Sequence, residues 1–307
     1  TDRECTPQNF VDQAWQSVLA GARELTLFNL GNLVQGDPGH ALLKRDWEKL
    51  TALKEKVRSH TLGGIACFKP LNGSSDDNMW LMDYLGMLGL PVRPAAQYPA
   101  DDKVAILGVQ ASGDAQVVRK IKQHLGKGAT LILTPALVRE LGKAGAALAG
   151  VTVASQGDEG KAGDVNGVAL TVPLEVDLSL KAADKHVVMW ATAGGRKVQY
   201  LVARKSGKGT VMVWNVRTFN EADYARTKER LLAPAQLGLP EMPQALADEL
   251  RKKFLAPLGV TLSAPAWVAY YMFGKAHCLY NFLDRDVDVM LNGQAVKLAA
   301  NGLVWRE

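Results

Sequence analysis

The chain has 307 residues, 48% of them hydrophobic and 22% charged, with a formal charge of +5; it is long enough for two or three domains with a sizeable core and has the composition of a globular protein. Its lysines and arginines are scattered, not gathered with aromatics into a basic stripe, which argues against a nucleic-acid partner, and no apolar run is long enough to cross a bilayer, which argues against a membrane one. The three cysteines, Cys5, Cys67 and Cys278, lie far apart without CxxC spacing, so they imply neither a disulfide framework nor a zinc site.

The chain opens on TDRECTPQNF, without a methionine or an apolar leader. We therefore expect it to begin inside a longer polypeptide, and no compartment can be read from it. In FVDQAWQSVLAGA the residues Phe10, Val11, Ala14, Trp15, Val18 and Leu19 recur at helical spacing, and Gly21 closes the segment. ELTLFNL follows as an expected short strand, GNLVQGDPGH as a loop and ALLKRDWEKLTALKEKV as a second helix. One strand cannot bury both faces of a parallel sheet. Leu25, Leu27, Trp15 and Trp47 are thus expected to stay partly exposed unless another segment covers them.

From LGGIACFKP onward the pattern alternates more fully. Ser74 or Ser75 with Asp76 and Asp77 would cap a helix through MWLMDYLGML. VAILGV is a buried strand, ASGDAQVVRKIKQHL a helix capped by Ser112 or Asp114, TLILT a strand, and ALVRELGKAGAAL a helix. This series predicts a parallel sheet with helices on both faces, holding Val104 to Val109, Thr130 to Thr134 and Val187 to Ala191. The valine-rich alternation from Val151 to Val187 reads as a β insertion or sheet edge, and NEADYARTKERLL and PQALADELRKKFL as closing helices. The last fifty or so residues have strand-length apolar runs broken by FGK, LNG and ANG, the pattern of a small antiparallel β domain.

Two stretches, HLGKGATLILTP and KSGKGTVMVWNV, look like phosphate loops. A phosphate loop needs a strand before the glycines and a helix after them, so that free N–H groups face the phosphate. The first has a helix before and a strand after, with Gly126 ending the helix; the second lies between two β-rich runs, with Gly207 in a hairpin turn. Both are expected to be turns that bind nothing.

Other constellations are weak. Cys67 is followed by FKP, which cannot open the strand-to-helix elbow of an amidotransferase nucleophile. Asp284, Asp286 and Asp288 alternate like calcium ligands, but Val289 stands where such a loop needs glycine and Ala295 where it needs glutamate, so we read a solvated strand face. Asn29 and Asn32 stand at the end of the expected strand, ahead of a glycine-rich loop carrying Asp37 and His40. In (β/α) architectures ligands bind at that rim, and sugars need such neutral amides. Asn29, Asn32 and His40 are the candidate substrate-binding residues, with a plain loop-turning role as the alternative.

In order, QAWQSVLAGARELTLFNLGNL, DWEKLTALKEKVR, LGMLGLPVRP and VAILGVQASGDAQVVRKIKQHLGKGATLILTPALV resemble the rear half of bacterial glycoside hydrolases related to the three-domain β-galactosidases. The resemblance implies residues 1–60 as the last βα unit of a (β/α)8 barrel, 61–257 as a glutamine-amidotransferase-like trimerisation domain, and 258–307 as a small C-terminal β domain. The implied fold class is a flavodoxin- or amidotransferase-like α/β sheet between a barrel-like unit and a small antiparallel domain. Such enzymes carry two carboxylates on barrel strands four and seven, roughly 5 Å apart in a retaining pair. Those strands are not in this sequence, so no catalytic residue is assigned, and no cofactor or metal is called for. The implied partners are a carbohydrate substrate, a missing barrel segment or companion polypeptide, and further copies in a homo-oligomer. Secretion or a periplasmic location would suit such an enzyme. The alternative is a stand-alone amidotransferase-like binding module without activity, and a nucleotide or phosphoryl enzyme ranks last.

Overall fold

The computed structural model describes residues 6–27, 31, 34–71, 85–216 and 241–307. Helix α1 (Pro7–Leu19) starts at Thr6, whose side chain accepts the Asn9 N–H, and α2 (Pro38–Arg58) starts at Asp37, which accepts the Gly39 N–H. Next come β1 (Ile65–Phe68), β2 (Val92–Ala95), β3 (Val104–Leu107), α3 (Val117–Gly126), β4 (Thr130–Leu133), α4 (Pro135–Glu140) and α5 (Gly142–Ala149). The strands β5 (Glu159–Val165), β6 (Val168–Asp177), β7 (Val187–Ala193), β8 (Arg196–Ser206) and β9 (Gly209–Trp214) lead to α6 (Gln244–Leu255). The chain ends with β10 (Leu262–Ser263), β11 (Val268–Phe273), β12 (Ala276–Asn281), β13 (Val287–Leu291), β14 (Gln294–Leu298) and β15 (Leu303–Arg306).

Nine strands form one sheet in the order β2-β1-β3-β4-β9-β8-β7-β5-β6. The first five run parallel, and the other four are antiparallel to their neighbours. The expected strands at 104, 130 and 187 therefore share a sheet, but the third lies in its antiparallel half. The cause is local. Gly194 and Gly195, with φ of 55° and 73°, turn β7 into β8, and Gly207, with φ of 60°, turns β8 into β9. Two-residue turns of this kind make hairpins, whereas a parallel neighbour needs a long crossover. The valine-rich insertion forms the far edge as β5 and β6, as its alternation implied.

Alternate residues of the parallel strands enter different cores. Ala66, Phe68, Leu107, Leu131 and Val213 pack with Ile121, Leu125 and Leu148 of α3 and α5. Ile65, Val104, Ile106, Met212 and Trp214 pack with Leu250 and Phe254 of α6. Helices thus cover both faces, as continuous apolar strands require.

Three local expectations need correction. The expected single helix after TLILT is broken at Gly142, which adopts φ +56°. A Cβ on Gly145 would lie 2.6 Å from Val138 O, so glycine there lets α5 fold back against α4. The helix at ASGDAQVVRK starts only at Val117; Ser112 Oγ donates to Val109 O, and Asp114 accepts the Gln116 N–H in a turn before the helix. Residues 24–27, expected as the start of a strand, form none. No described neighbouring strand reaches them, and an extended segment without a ladder partner cannot register as sheet. The cap at Ser74 to Asp77, most of MWLMDYLGML and all of NEADYARTKERLL lie outside the described residues.

The C-terminal region folds as two three-stranded antiparallel sheets, β10-β13-β14 and β11-β12-β15. The second sheet supports the N-terminal helices. Trp15 of α1 meets Tyr280 of β12 at 6.1 Å between ring centroids, and Val11, Leu19, Leu43, Leu50 and Leu53 share a core with Phe273, Cys278 and Tyr280. Trp15 is accordingly only 7% exposed, against the expectation that it would await an external cover. The reason is a contact across more than 250 residues that local periodicity cannot reveal.

The same interface buries a carboxylate. Asp12 is 1% exposed and accepts hydrogen bonds from Tyr280 Oη at 2.5 Å and Gln8 Nε2 at 2.8 Å. Burial raises its pKa above the ordinary value, and the two hydrogen bonds only partly oppose the shift. A raised acid pKa means the fold prefers the protonated form. The stability it contributes is complete below the unfolded pKa and is lost as pH rises through the folded one. Asp12→Asn is therefore expected to raise the melting temperature at pH 7 and to lose that advantage as the pH falls below about 4, which thermal unfolding at both pH values would check.

Candidate functional site

The rim singled out from the sequence is only partly described. Asn29 and Asn32 lie outside the described residues. His40 sits in the first turn of α2, its side chain 10% exposed, with Nδ1 3.9 Å from Asp37 Oδ1. Its ring packs on Phe10 of α1 at 5.0 Å, and neither ring nitrogen has a hydrogen-bond partner among the described residues. Gly39 makes this close approach feasible, because a Cβ there would lie 3.0 Å from the Phe10 ring. His40 therefore faces the helix pair.

Two turns further along α2, roughly 10 Å by helix rise, a hollow opens between the helices and the segment after α1. Its lining includes Val18, Ala22, Leu25, Trp47 and Leu50, and its volume is about 380 Å³. Trp47 is 50% exposed and Leu27 44%; Leu25 is half-buried. These three apolar side chains are left partly open, while Trp15 of the same helix pair is packed on Tyr280.

The C-terminal ends of the parallel strands, where open α/β sheets usually bind ligands, carry polar groups of another kind. Cys67 lies inside β1, buried on both faces, and desolvation pushes its thiol up to about 12, so no thiolate forms near neutral pH. Asn215, just after β9, is fully buried: its Oδ1 accepts the Asp177 N–H, and its Nδ2 donates to Asp177 O and Gln199 O. Asp177 in turn holds Ser179 and pairs with Arg139 of α4. Every polar atom of Asn215 is used up in joining β6, β8 and β9, which makes it a fastener. Gln110 Nε2, beside this edge, is buried without a hydrogen-bond partner among the described residues.

The opposite edge holds the residues that reading along the sequence did not assemble. The turn after α3 and the β8–β9 hairpin turn stand together, and with the end of α6 they border a hollow of about 900 Å³ that includes Lys103, Lys127, Lys205, Lys252 and Lys253. The near-repeat of Gly-Lys-Gly was the only signal, and it becomes spatial only through the parallel pairing of β4 with β9. Gly126 ends α3, and Gly207 lies in a hairpin. In β13, Asp288 is exposed while Val289 and Leu291 are buried, so the solvated strand face holds for Asp288, whereas Asp284 and Asp286 precede the strand and Asp286 accepts the Ala300 N–H.

Residues 59–219, just over half of the chain, match the family model described as "Uncharacterized protein SSO3021, second domain". The chain belongs to this family. The region that matches the SSO3021 second domain takes in all nine strands of the large sheet and the helices α3 to α5. A search of curated protein sequences gave no match. Among solved structures, a catalytic mutant of Gan42B, a GH42 β-galactosidase from G. stearothermophilus, matches with a TM-score of 0.55 at 10% identity, over 97% of this chain and 50% of the other. The β-galactosidase from Bacillus circulans sp. alkalophilus matches at 0.55 and 13% identity over 98% and 52%. That from the psychrophilic Marinomonas ef1 matches at 0.56 and 12% over 98% and 50%. At such identities the likeness is one of fold. The chain spans about half the length of these structures, and its α/β sheet followed by small antiparallel sheets fits a rear portion of a β-galactosidase-like protein.

Proposed function

We propose that this chain is the non-catalytic rear portion of a carbohydrate-active glycoside hydrolase, supplying assembly surface and part of the rim that holds the sugar, with the two catalytic carboxylates on residues outside it. In this reading residues 1–60 are the end of a (β/α)8 barrel, 61–257 an amidotransferase-like assembly domain and 258–307 a β cap. The observation that carries it is the hollow of Val18, Leu25, Trp47 and Leu50 beside residues 24–27. A segment of strand-like composition with no sheet partner among the described residues, next to an open apolar surface, is what the last strand of a barrel would be without its neighbours. Exposed apolar area costs about 25 cal/mol per Å², so a covering segment would be stabilising. The fold likeness to half of several β-galactosidase structures supports the same reading.

Two results are expected of the chain by itself. It should hydrolyse no aryl glycoside, and it should bind a hydrophobic dye at the hollow. Trp47→Arg, which changes a half-exposed residue, should reduce the dye signal and leave the unfolding free energy within about 0.5 kcal/mol of the parent. Hydrolysis of an aryl galactoside by the pure chain would overturn the proposal.

A second reading, a stand-alone amidotransferase-like binding module, is favoured by one observation: α1 and α2 share a core with β11 and β12 of the same chain. It predicts saturable sugar binding by the chain alone, readable by calorimetry, and no dye binding at Trp47.

A further inference from the structure

The two Gly-Lys-Gly turns lie against each other. A Cβ on Gly207 would stand 3.9 Å from Leu125 O, and one on Gly128 3.9 Å from Lys208 O. They border the hollow of about 900 Å³ at the N-terminal ends of β4 and β9, with Thr130 and Thr210 at its base. Lys103 reaches it from the start of β3, Lys127 from the end of α3, Lys205 from β8, and Lys252 and Lys253 from the last turn of α6.

Among the described residues the lysine charge is largely uncompensated. Lys127 pairs with Asp101 at 2.7 Å, and Asp102 is taken by Arg93 at 2.6 Å. Lys103, Lys205, Lys252 and Lys253 have no ion pair among the described residues. The C-termini of α3 and α6 carry about half a negative charge each, so they offset only a fraction of four free ammonium groups. A concave site lined by one sign of charge concentrates counter-ions. Its volume is in the range of small-ligand sites, roughly 300–1,000 Å³.

We propose that this hollow binds a small multivalent phosphate, either inorganic polyphosphate or a phosphorylated sugar, through its lysine side chains. The backbone does not cradle the ligand: α3 presents carbonyl groups here, which repel anions, so the binding comes from ammonium groups reaching in from separate elements. Each lysine offers three charge-assisted donors to phosphate oxygens.

Calorimetric titration of the 307-residue chain, in whatever assembly it adopts, tests this with inorganic tripolyphosphate in one arm and fructose 1,6-bisphosphate in the other, at constant ionic strength. At least one of the two is expected to bind saturably at one site per chain, and the tighter arm identifies the source of the phosphate. The double variant Lys205→Glu and Lys252→Glu should weaken that binding by tenfold or more, about 1.4 kcal/mol. A control with the same charge change on other exposed lysines, Lys143→Glu and Lys297→Glu, should keep it within about twofold. Failure of both anions to saturate, or equal losses in the two variants, would overturn the proposal. Because it does not depend on the hydrolase reading, either can fail without the other.

Discussion

Replacing Arg251 by methionine is expected to lower the unfolding free energy by about 3–5 kcal/mol, the usual consequence of removing one partner of a buried ion pair. Arg251 is 1% exposed in the middle of α6. Its Nε donates to Leu88 O at 2.6 Å, its Nη1 to Ala264 O and to Asp248 Oδ1, each at 2.5 Å, and its Nη2 to Pro265 O at 3.3 Å. Three chain segments thus converge on one guanidinium: the loop before β2, more than 160 residues away, α6 itself, and the link between β10 and β11. Methionine fills similar volume but supplies no donor, so buried carbonyls lose their partners. Burial depresses the guanidinium's pKa, but the Asp248 carboxylate opposes this, and the group stays charged. Urea unfolding should show a lower midpoint with an unchanged slope. A loss under about 1 kcal/mol would mean that water reaches these carbonyls in the variant and that the guanidinium is not the fastener described here.

Trp15→Ala should be nearly as costly, about 3–5 kcal/mol for a buried tryptophan, but its effect should be regional. The side chain lies between α2 and the β11-β12-β15 sheet. Its removal opens a cavity between the N-terminal helices and the C-terminal strands and leaves the two faces of the nine-stranded sheet untouched. Amide exchange should accelerate through residues 7–58 while β3, β4 and β9 keep their protection. Uniform acceleration across the chain would show instead that the helices and the large sheet open as one unit.

These contacts mark the boundary of what the sequence could reveal. The helices at residues 7–19 and 38–58 were legible from Phe10 and Ala41 onward because their apolar residues repeat at helical spacing, whereas the second begins at Pro38, within the stretch expected as loop. The last hairpin was legible because Asn292-Gly293, with φ of 50° and 77°, is the residue pair that a two-residue hairpin turn requires. Strand alternation placed Val289 and Leu291 inside and Asp288 outside. What failed was whatever depends on a partner. Leu25 to Leu27 have the composition of a strand, but a strand is a relation between two segments. The antiparallel direction of β7 depends on a chain of hairpins, and the packing of Trp15 on Tyr280 joins opposite ends of the chain. The lysines looked scattered for the same reason: Lys127, Lys205 and Lys252 are neighbours only once β4 pairs with β9 and α6 covers the sheet. Of the site residues put forward, only His40 falls among those described, and it is turned toward Phe10.

The N-terminal helices have two faces with different prospects. One is completed by the chain's own C-terminal sheet. The other, at Trp47 and Leu25, is open. A self-sufficient module should have closed both, since a few well-placed apolar residues would do so; a rear portion of a barrel enzyme need close only the first. The measurement that tests this most directly is the mass of the native particle isolated untagged from its source, under native conditions and again after denaturation. The account predicts a polypeptide that carries barrel residues, either as a chain longer than the 33.2 kDa of this sequence or as a second species bound to it. A particle made wholly of 33.2 kDa chains, with Trp47 shielded in the assembly, would contradict it.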